Sequence, residues 1–283
     1  MKKITITIFL IVIFLCNAAA ADQLGIFENP NIYVSPTFVQ LESNTFKIPN
    51  SVEIDLDKIC VNPSNPIYVD DVQSVTNAFD NVASYLDSSK NYYELCFVMK
   101  DSRFRRATKL LNTVINFQKD ANLPLIISGL ELDGEEVKNN ENNVVVDKSY
   151  KASLIINSDS FLLLHNITID KSKQGIELNC PNGCLVANSK LTGVPASPPA
   201  VSTGIKTLGK DITIKDVIVS NFDIGIDVYS KKSLVERCEV IGNKMYGLFV
   251  HEDANLSIKS MKSMIGNGDG KSALNAFTPN SNI

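Results

Sequence analysis

Tryptophan is absent from this 283-residue chain and histidine occurs only twice, which limits two common kinds of site. The absence of tryptophan weakens an aromatic stacking platform, for which Tyr229, Tyr246 and Phe249 could substitute. Two scattered histidines and one Cys180-x-x-x-Cys184 segment do not form a convergent ligand set, so no metal site is expected. There is no long basic run, and acidic residues outnumber basic ones 31 to 27. Nucleic acid is therefore not an expected partner, and charge alone would not hold the chain to an anionic membrane. A Gly-rich phosphate loop, an HExxH zinc motif and a serine-nucleophile elbow are also missing.

What is present begins with a processing signal. Lys2 and Lys3 give a basic start, residues 4–16 are apolar and uncharged, and Ala18 to Ala21 supply small residues for a peptidase. This predicts a signal peptide over residues 1–21, cut before Asp22. The apolar run is short for a membrane span, and no later stretch is apolar enough, so no integral membrane segment is expected after processing. Loss of Lys2 and Lys3 leaves 27 − 2 = 25 basic against 31 acidic residues, a net charge of −6. Richness in Asn, Lys and Ile suits a bacterial source. The expected destination is the periplasm or the medium, with cell-surface association a further option.

Five cysteines follow the cleavage point, an odd number that requires a free thiol or an intermolecular bond. Cys180 and Cys184 are candidates for a small disulfide loop across Pro-Asn-Gly, and Cys60 and Cys96 for a second bond. Cys238 reads as a small buried hydrophobe.

Residues 22–122 read as an extended and helical capping region. Turn-forming Asn-Pro and Pro-Asn pairs punctuate residues 22–70, with short extended pieces between them. Val72, Val75, Phe79, Val82 and Leu86 then fall on one helical face, with Asp70 or Asp71 as N-cap. Residues 92–99 suit a strand. Over 103–117 the spacing favours helix, although Thr113 to Phe117 also suits a strand.

From residue 123 to 270 short strands dominate, and one phrase recurs. Ile214-Lys215-Asp216-Val217-Ile218 is matched by Val235-Glu236-Arg237-Cys238-Glu239 and by Leu164-His165-Asn166-Ile167-Thr168. Gly-aliphatic pairs follow at Gly175, Gly204, Gly225 and Gly247, and the last three are spaced 21 and 22 residues apart. That is the length of one solenoid coil. No helix-length segment lies between the strands, which disfavours an α/β fold. Asn221, Asn243 and Asn267 recur after a strand and are expected to stack at successive bends. Adjacent polar pairs such as Lys215-Asp216 and Glu236-Arg237 cannot both face outward from a regular strand, so a bend is expected there, with Asp216 paired to Arg237. The proline-bearing segment 194–200 lengthens one coil and is expected to border a groove. Residues 271–283 read as a tail or C-terminal cover.

This pattern resembles the right-handed parallel β-helix proteins of the pectin-lyase-like superfamily. The resemblance covers residues 123–270 and implies a mainly β fold, a single-stranded right-handed solenoid with a helical and irregular N-terminal cap. The superfamily holds polysaccharide lyases and hydrolases, phage tail proteins and non-catalytic surface proteins. Its enzyme signatures cannot be placed on these coils: Asp70-Asp71 precedes the repeats, and Arg237 stands alone among them.

Aligning the Gly-aliphatic pairs puts Glu177, Lys206, Asp227 and Phe249 in one outward column, with Asn179, Leu208, Tyr229 and His251 two residues on. Glu177, Lys206 and Asp227 are the catalytic candidates, and Tyr229, Phe249 and His251 the ligand-binding candidates. Two carboxylates would serve a hydrolase, whereas a lysine base with cation-binding acids would serve an acidic-glycan lyase, the one case in which calcium enters. The plain alternative is a solvated face of alternating charge. The favoured expectation is an exported protein that binds an extended polysaccharide or a cell-surface partner, with cleavage of an acidic glycan or a structural, adhesive role as alternatives.

Overall fold

The computed structural model describes residues 53–69, 72–87, 91–99, 112–117, 123–134, 137–138, 145–147 and 153–268, with the strands Ile32–Ser35, Thr45–Lys47 and Leu274–Ala276. The expected signal peptide 1–21, the N-cap candidates Asp70 and Asp71, residues 103–111 and the Asn-rich loop 139–143 lie outside the described residues.

Each regular coil contributes three short strands. One runs Leu162–His165, Thr168–Ser172 and Gln174–Asn179, and the next begins at Cys184–Ala187. Equivalent strands of successive coils pair in parallel into three sheets. Among the described residues, sheet 1 has ten strands, sheet 2 six and sheet 3 seven, counted in the order in which a coil visits them. The register stacks like on like. Leu164 lies between Ile127 and Val186 in sheet 1, and Leu154, Ile176, Ile205, Ile226 and Leu248 form one column in sheet 3. These side chains are buried, and each stabilises the coil by roughly 1.5–3 kcal/mol relative to exposure. Cys238 extends the interior column of Ile167 and Val217, as its repeat position predicts, and its burial pushes the thiol up to about 12.

The bends follow from the polar pairs. Sheet 1 strands end on His165, Lys215, Glu236 and Lys259. The next residues, Asn166, Asp216, Arg237 and Ser260, all have φ between 50° and 52°. Each turns the chain through a left-handed residue, and the Lys215 and Glu236 side chains that precede two of these bends are buried. The asparagine column differs from the expected single stack. Asn221 shares the left-handed place of Gly242 and Gly266, at φ 61°, 64° and 65°. Asn243 and Asn267 sit one residue later and are buried. There the side-chain amides satisfy backbone groups that the bend strips of partners: Asn243 Oδ1 accepts from Phe222 N at 3.1 Å, and Asn267 Oδ1 from Asn243 N at 3.0 Å.

The repeated glycines are explained by close approach rather than by turning. A Cβ on Gly204 would lie 2.5 Å from Gly225 O, and one on Gly225 would lie 2.6 Å from Gly247 O. Stacking at this edge of sheet 3 leaves no room for a side chain.

Parallel pairing reaches upstream of residue 123. Tyr92–Met99 forms the expected strand and joins sheet 1 beside Leu125–Ser128, with Ile67–Val69 beyond it. Asn112–Phe117 is a strand of sheet 3 beside Ser153–Ser158, not the end of a helix. Its β-branched run fits the ladder, and the partner strand overrides a spacing compatible with both structures. Helix α1 is shorter than the spacing predicts. It spans Val72–Asp80 and buries Val75 and Ala78 in the main core, with Phe79 edge-on to Phe97 at 5.6 Å. Val82 instead opens a separate 3-10 turn, Val82–Tyr85, and Leu86 a short strand. Ile54, Leu56 and Ile59 pack on the outer face of sheet 1 against Ile126, Leu163 and Leu185, and a Cys60–Cys96 disulfide ties this outer layer to the sheet. Ile32–Ser35 pairs with Leu256–Lys259 at the opposite end of sheet 1, and Leu274–Ala276 extends sheet 3 past residue 270.

Candidate functional site

The outer face of sheet 3 brings the sequence candidates together. Glu177, Lys206, Asp227 and Phe249 are direct register partners on four successive coils. Tyr229 and His251 continue the next column, carried by Tyr229 N to Thr207 O and His251 N to Val228 O, both at 3.0 Å. Inward-facing aliphatics on the same strands fix which side chains emerge, so the core determines the ridge.

The emergent groups are coupled pairwise. Lys206 Nζ donates to Glu177 Oε2 at 3.3 Å and lies 5.5 Å from the Tyr229 ring centroid, within cation–π range. His251 Nε2 is 2.8 Å from Asp227 Oδ1. The His251 ring stacks on Tyr229 with centroids 3.5 Å apart and meets Phe249 edge-on at 4.7 Å, and Phe249 lies 5.1 Å from Tyr246. Four rings thus form a continuous strip beside the charged column. Asn179 Nδ2 donates to Asn157 Oδ1 at 3.1 Å, extending the polar line toward the earlier coils.

Burial raises the Asp227 carboxyl above its ordinary range, against the opposing hydrogen bond and charge of His251 and the charge of Lys206. Burial also raises the Tyr229 phenol, with the negative charges of Asp227 and Glu177 adding to the effect. Glu177, Lys206, Asp227 and Tyr229 line a cleft of about 210 Å³ that also takes in Gln174 and Thr203. This is below the roughly 300–1,000 Å³ of pockets that enclose small molecules. The cleft suits part of a longer ligand lying across the coils. Val201 lines it at the end of the proline segment, whose base is fastened by buried Asp223: Oδ2 accepts from Ala196 N at 2.9 Å and Ser202 N at 2.8 Å. A second cleft of similar volume on sheet 2 is lined by Glu131, Asp133 and Asp170 with Lys190, and no aromatic side chain enters it.

Gln174, Thr203 and Val201 were not among the sequence candidates. The register of Gln174 with Thr203 offered a signal, because the strand pair that carries Glu177 and Lys206 also brings these two together.

Other candidates fall elsewhere. His165 sits on sheet 1, where Ser128 Oγ approaches Nδ1 at 3.0 Å and Asn188 Nδ2 approaches Nε2 at 3.1 Å; burial lowers its pKa, against the charge of Asp57. Asp216 and Arg237 form the expected pair at the bend, joined by Lys262 at 3.0 Å. Of the two disulfide candidates, Cys60–Cys96 is formed, whereas Cys180 and Cys184 are not bonded. Both are buried in the coil, where Cys184 Sγ interacts with Cys180, and burial first and Cys180 second push the Cys184 thiol well up. Glu94 lies beside Cys60 and Cys96, accepting from Cys60 N at 3.3 Å, but the disulfide occupies both sulfurs of that trio. No described helix is long and apolar enough to cross a membrane.

Residues 152–280 match the family model described as "Right handed beta helix region", which gives the solenoid its hand. No curated protein and no solved structure matches the chain.

Proposed function

We propose that this right-handed parallel β-helix is an exported protein that binds an extended polysaccharide along the outer ridge of sheet 3, by recognition rather than cleavage. The β-helix fold is consistent with carbohydrate-acting and adhesive proteins in general. The observation that carries the reading is the continuous strip Tyr246–Phe249–His251–Tyr229 beside Lys206, Glu177 and Asp227, presented by coils about 4.8 Å apart. Ring faces suit the apolar faces of sugars, and the flanking polar groups suit their hydroxyls.

Recognition is favoured over cleavage because the reactive groups are engaged with each other. As ammonium donor to Glu177, Lys206 has no lone pair with which to take a proton. Glu177 and Asp227 lie on either side of Lys206 rather than facing one another across an open site. One observation supports hydrolysis as a second reading: the raised Asp227 carboxyl is the kind of group that donates a proton to a leaving oxygen.

The test is a glycan-array screen of the processed chain. Hits are then incubated with and without calcium and followed for new reducing ends and unsaturated products. Binding without products supports recognition. Product formation abolished by Asp227→Asn supports hydrolysis, and absence of any glycan hit removes the polysaccharide reading.

A further inference from the structure

We infer that the sheet 3 ridge selects a neutral polyhydroxylated chain and excludes polyanionic glycans, with Glu177 as the residue that sets this choice; the inference rests on the polysaccharide reading above. Among the residues lining the cleft, Lys206 is the one cation, against two carboxylates, Glu177 and Asp227. Lys206 is not held out toward a ligand. Its ammonium reaches back one coil to Glu177 at 3.3 Å and lies over Tyr229. Asp227 faces the cleft with its side chain 9% exposed, and His251 Nε2 lies 2.8 Å from its Oδ1.

A uronate polymer laid along this column would bring a carboxylate beside Glu177 or Asp227 at nearly every coil. To gain Lys206 it would have to displace Glu177, leaving that carboxylate without its cation beside another anion. A neutral chain meets neither obstacle. Its hydroxyls can donate to the free lone pairs of Glu177 and Asp227, its other oxygens can accept from Gln174 and Thr203, and its apolar ring faces can rest on Tyr229 and Val201, which are 40% and 46% exposed. The ionic pair thus removes the positive charge that an acidic glycan requires while leaving acceptors for hydroxyls.

The experiment measures retention of the full processed chain in affinity electrophoresis through a neutral glucan and through polygalacturonate of matched length. The wild type should be retained by the glucan and run unretarded in polygalacturonate. Glu177→Gln keeps the shape of the side chain but frees Lys206, and should gain at least tenfold in affinity for polygalacturonate. Glu177→Gln combined with Lys206→Met should lose that gain, and a thermal melt of each variant verifies the fold. Wild-type retention by polygalacturonate, or no gain in Glu177→Gln, overturns the selectivity while leaving polysaccharide binding in place. Retention by neither polymer, together with a glycan array without hits, overturns both.

Discussion

His251 Nε2 lies 2.8 Å from Asp227 Oδ1 although the two residues are separated by 24 positions, because one full coil returns the chain to the same edge of sheet 3. The pair joins the aromatic strip to the charged column. It also carries a proton-linked signature. Burial raises the Asp227 carboxyl in the folded protein despite His251 and Lys206. The folded chain therefore holds that proton more readily than the unfolded chain. Between the ordinary carboxylate value and the raised folded value, this residue's contribution to stability falls as pH rises. Asp227→Asn should remove that slope, and denaturant titrations across the acidic range measure it.

Asp216 should show the opposite sign. Burial raises its carboxyl, but the hydrogen bonds and charges of Arg237 and Lys262 outweigh this and hold it below the ordinary range. Its contribution is present above the unfolded value and is lost as pH falls through the folded value. With side chains 16% and 25% exposed, the Asp216–Arg237 pair is partly shielded, and Asp216→Asn should cost about 1–2 kcal/mol near neutrality. The difference from wild type should shrink in acid, as read from the same titrations.

Glycines of two kinds should respond differently to substitution. Gly204→Ala would place a methyl 2.4 Å from Val219 Cγ1 and 2.5 Å from Gly225 O, and overpacking of this kind costs about 1–3 kcal/mol or more. Gly242→Asn should be nearly neutral, since Asn221 already occupies the equivalent left-handed place one coil earlier. Chemical unfolding of the two variants provides the comparison.

Glycine spacing made the coil length legible because a forbidden Cβ recurs wherever the coils approach, and it aligned Glu177, Lys206, Asp227 and Phe249 correctly. Asn221 was harder to place. Asparagine serves both as a left-handed residue and as a buried amide, and residue type alone does not separate Asn221 from Asn243 one column away. Residues 112–117 carry apolar spacing that serves helix or strand, and the deciding partner, Ser153–Ser158, lies 41 positions downstream in register. The coupling within the ridge was not legible either. Register predicts that Lys206 neighbours Glu177, but not that its ammonium reaches back to bond the Glu177 carboxylate.

The cysteines give a chemical check. Under non-reducing conditions, alkylation followed by mass spectrometry should label Cys180, Cys184 and Cys238 only after unfolding, because all three are buried and unbonded. Cys60 and Cys96 should be recovered as one linked pair. Their sequence separation is 36 residues, and reduction should lower stability by roughly 4 kcal/mol on the loop-entropy model. Recovery of a Cys180–Cys184 bond would contradict this assignment.

If an extended glycan runs across successive coils, calorimetric titration with neutral glucan oligomers of increasing length will register it. Affinity should rise with each added sugar until the oligomer spans the ridge from Glu177 to His251 and then level off, and Tyr229→Ala should weaken the longest oligomers by tenfold or more. A single sugar that binds as tightly as the longest oligomer, or equal affinities for wild type and Tyr229→Ala, would contradict it.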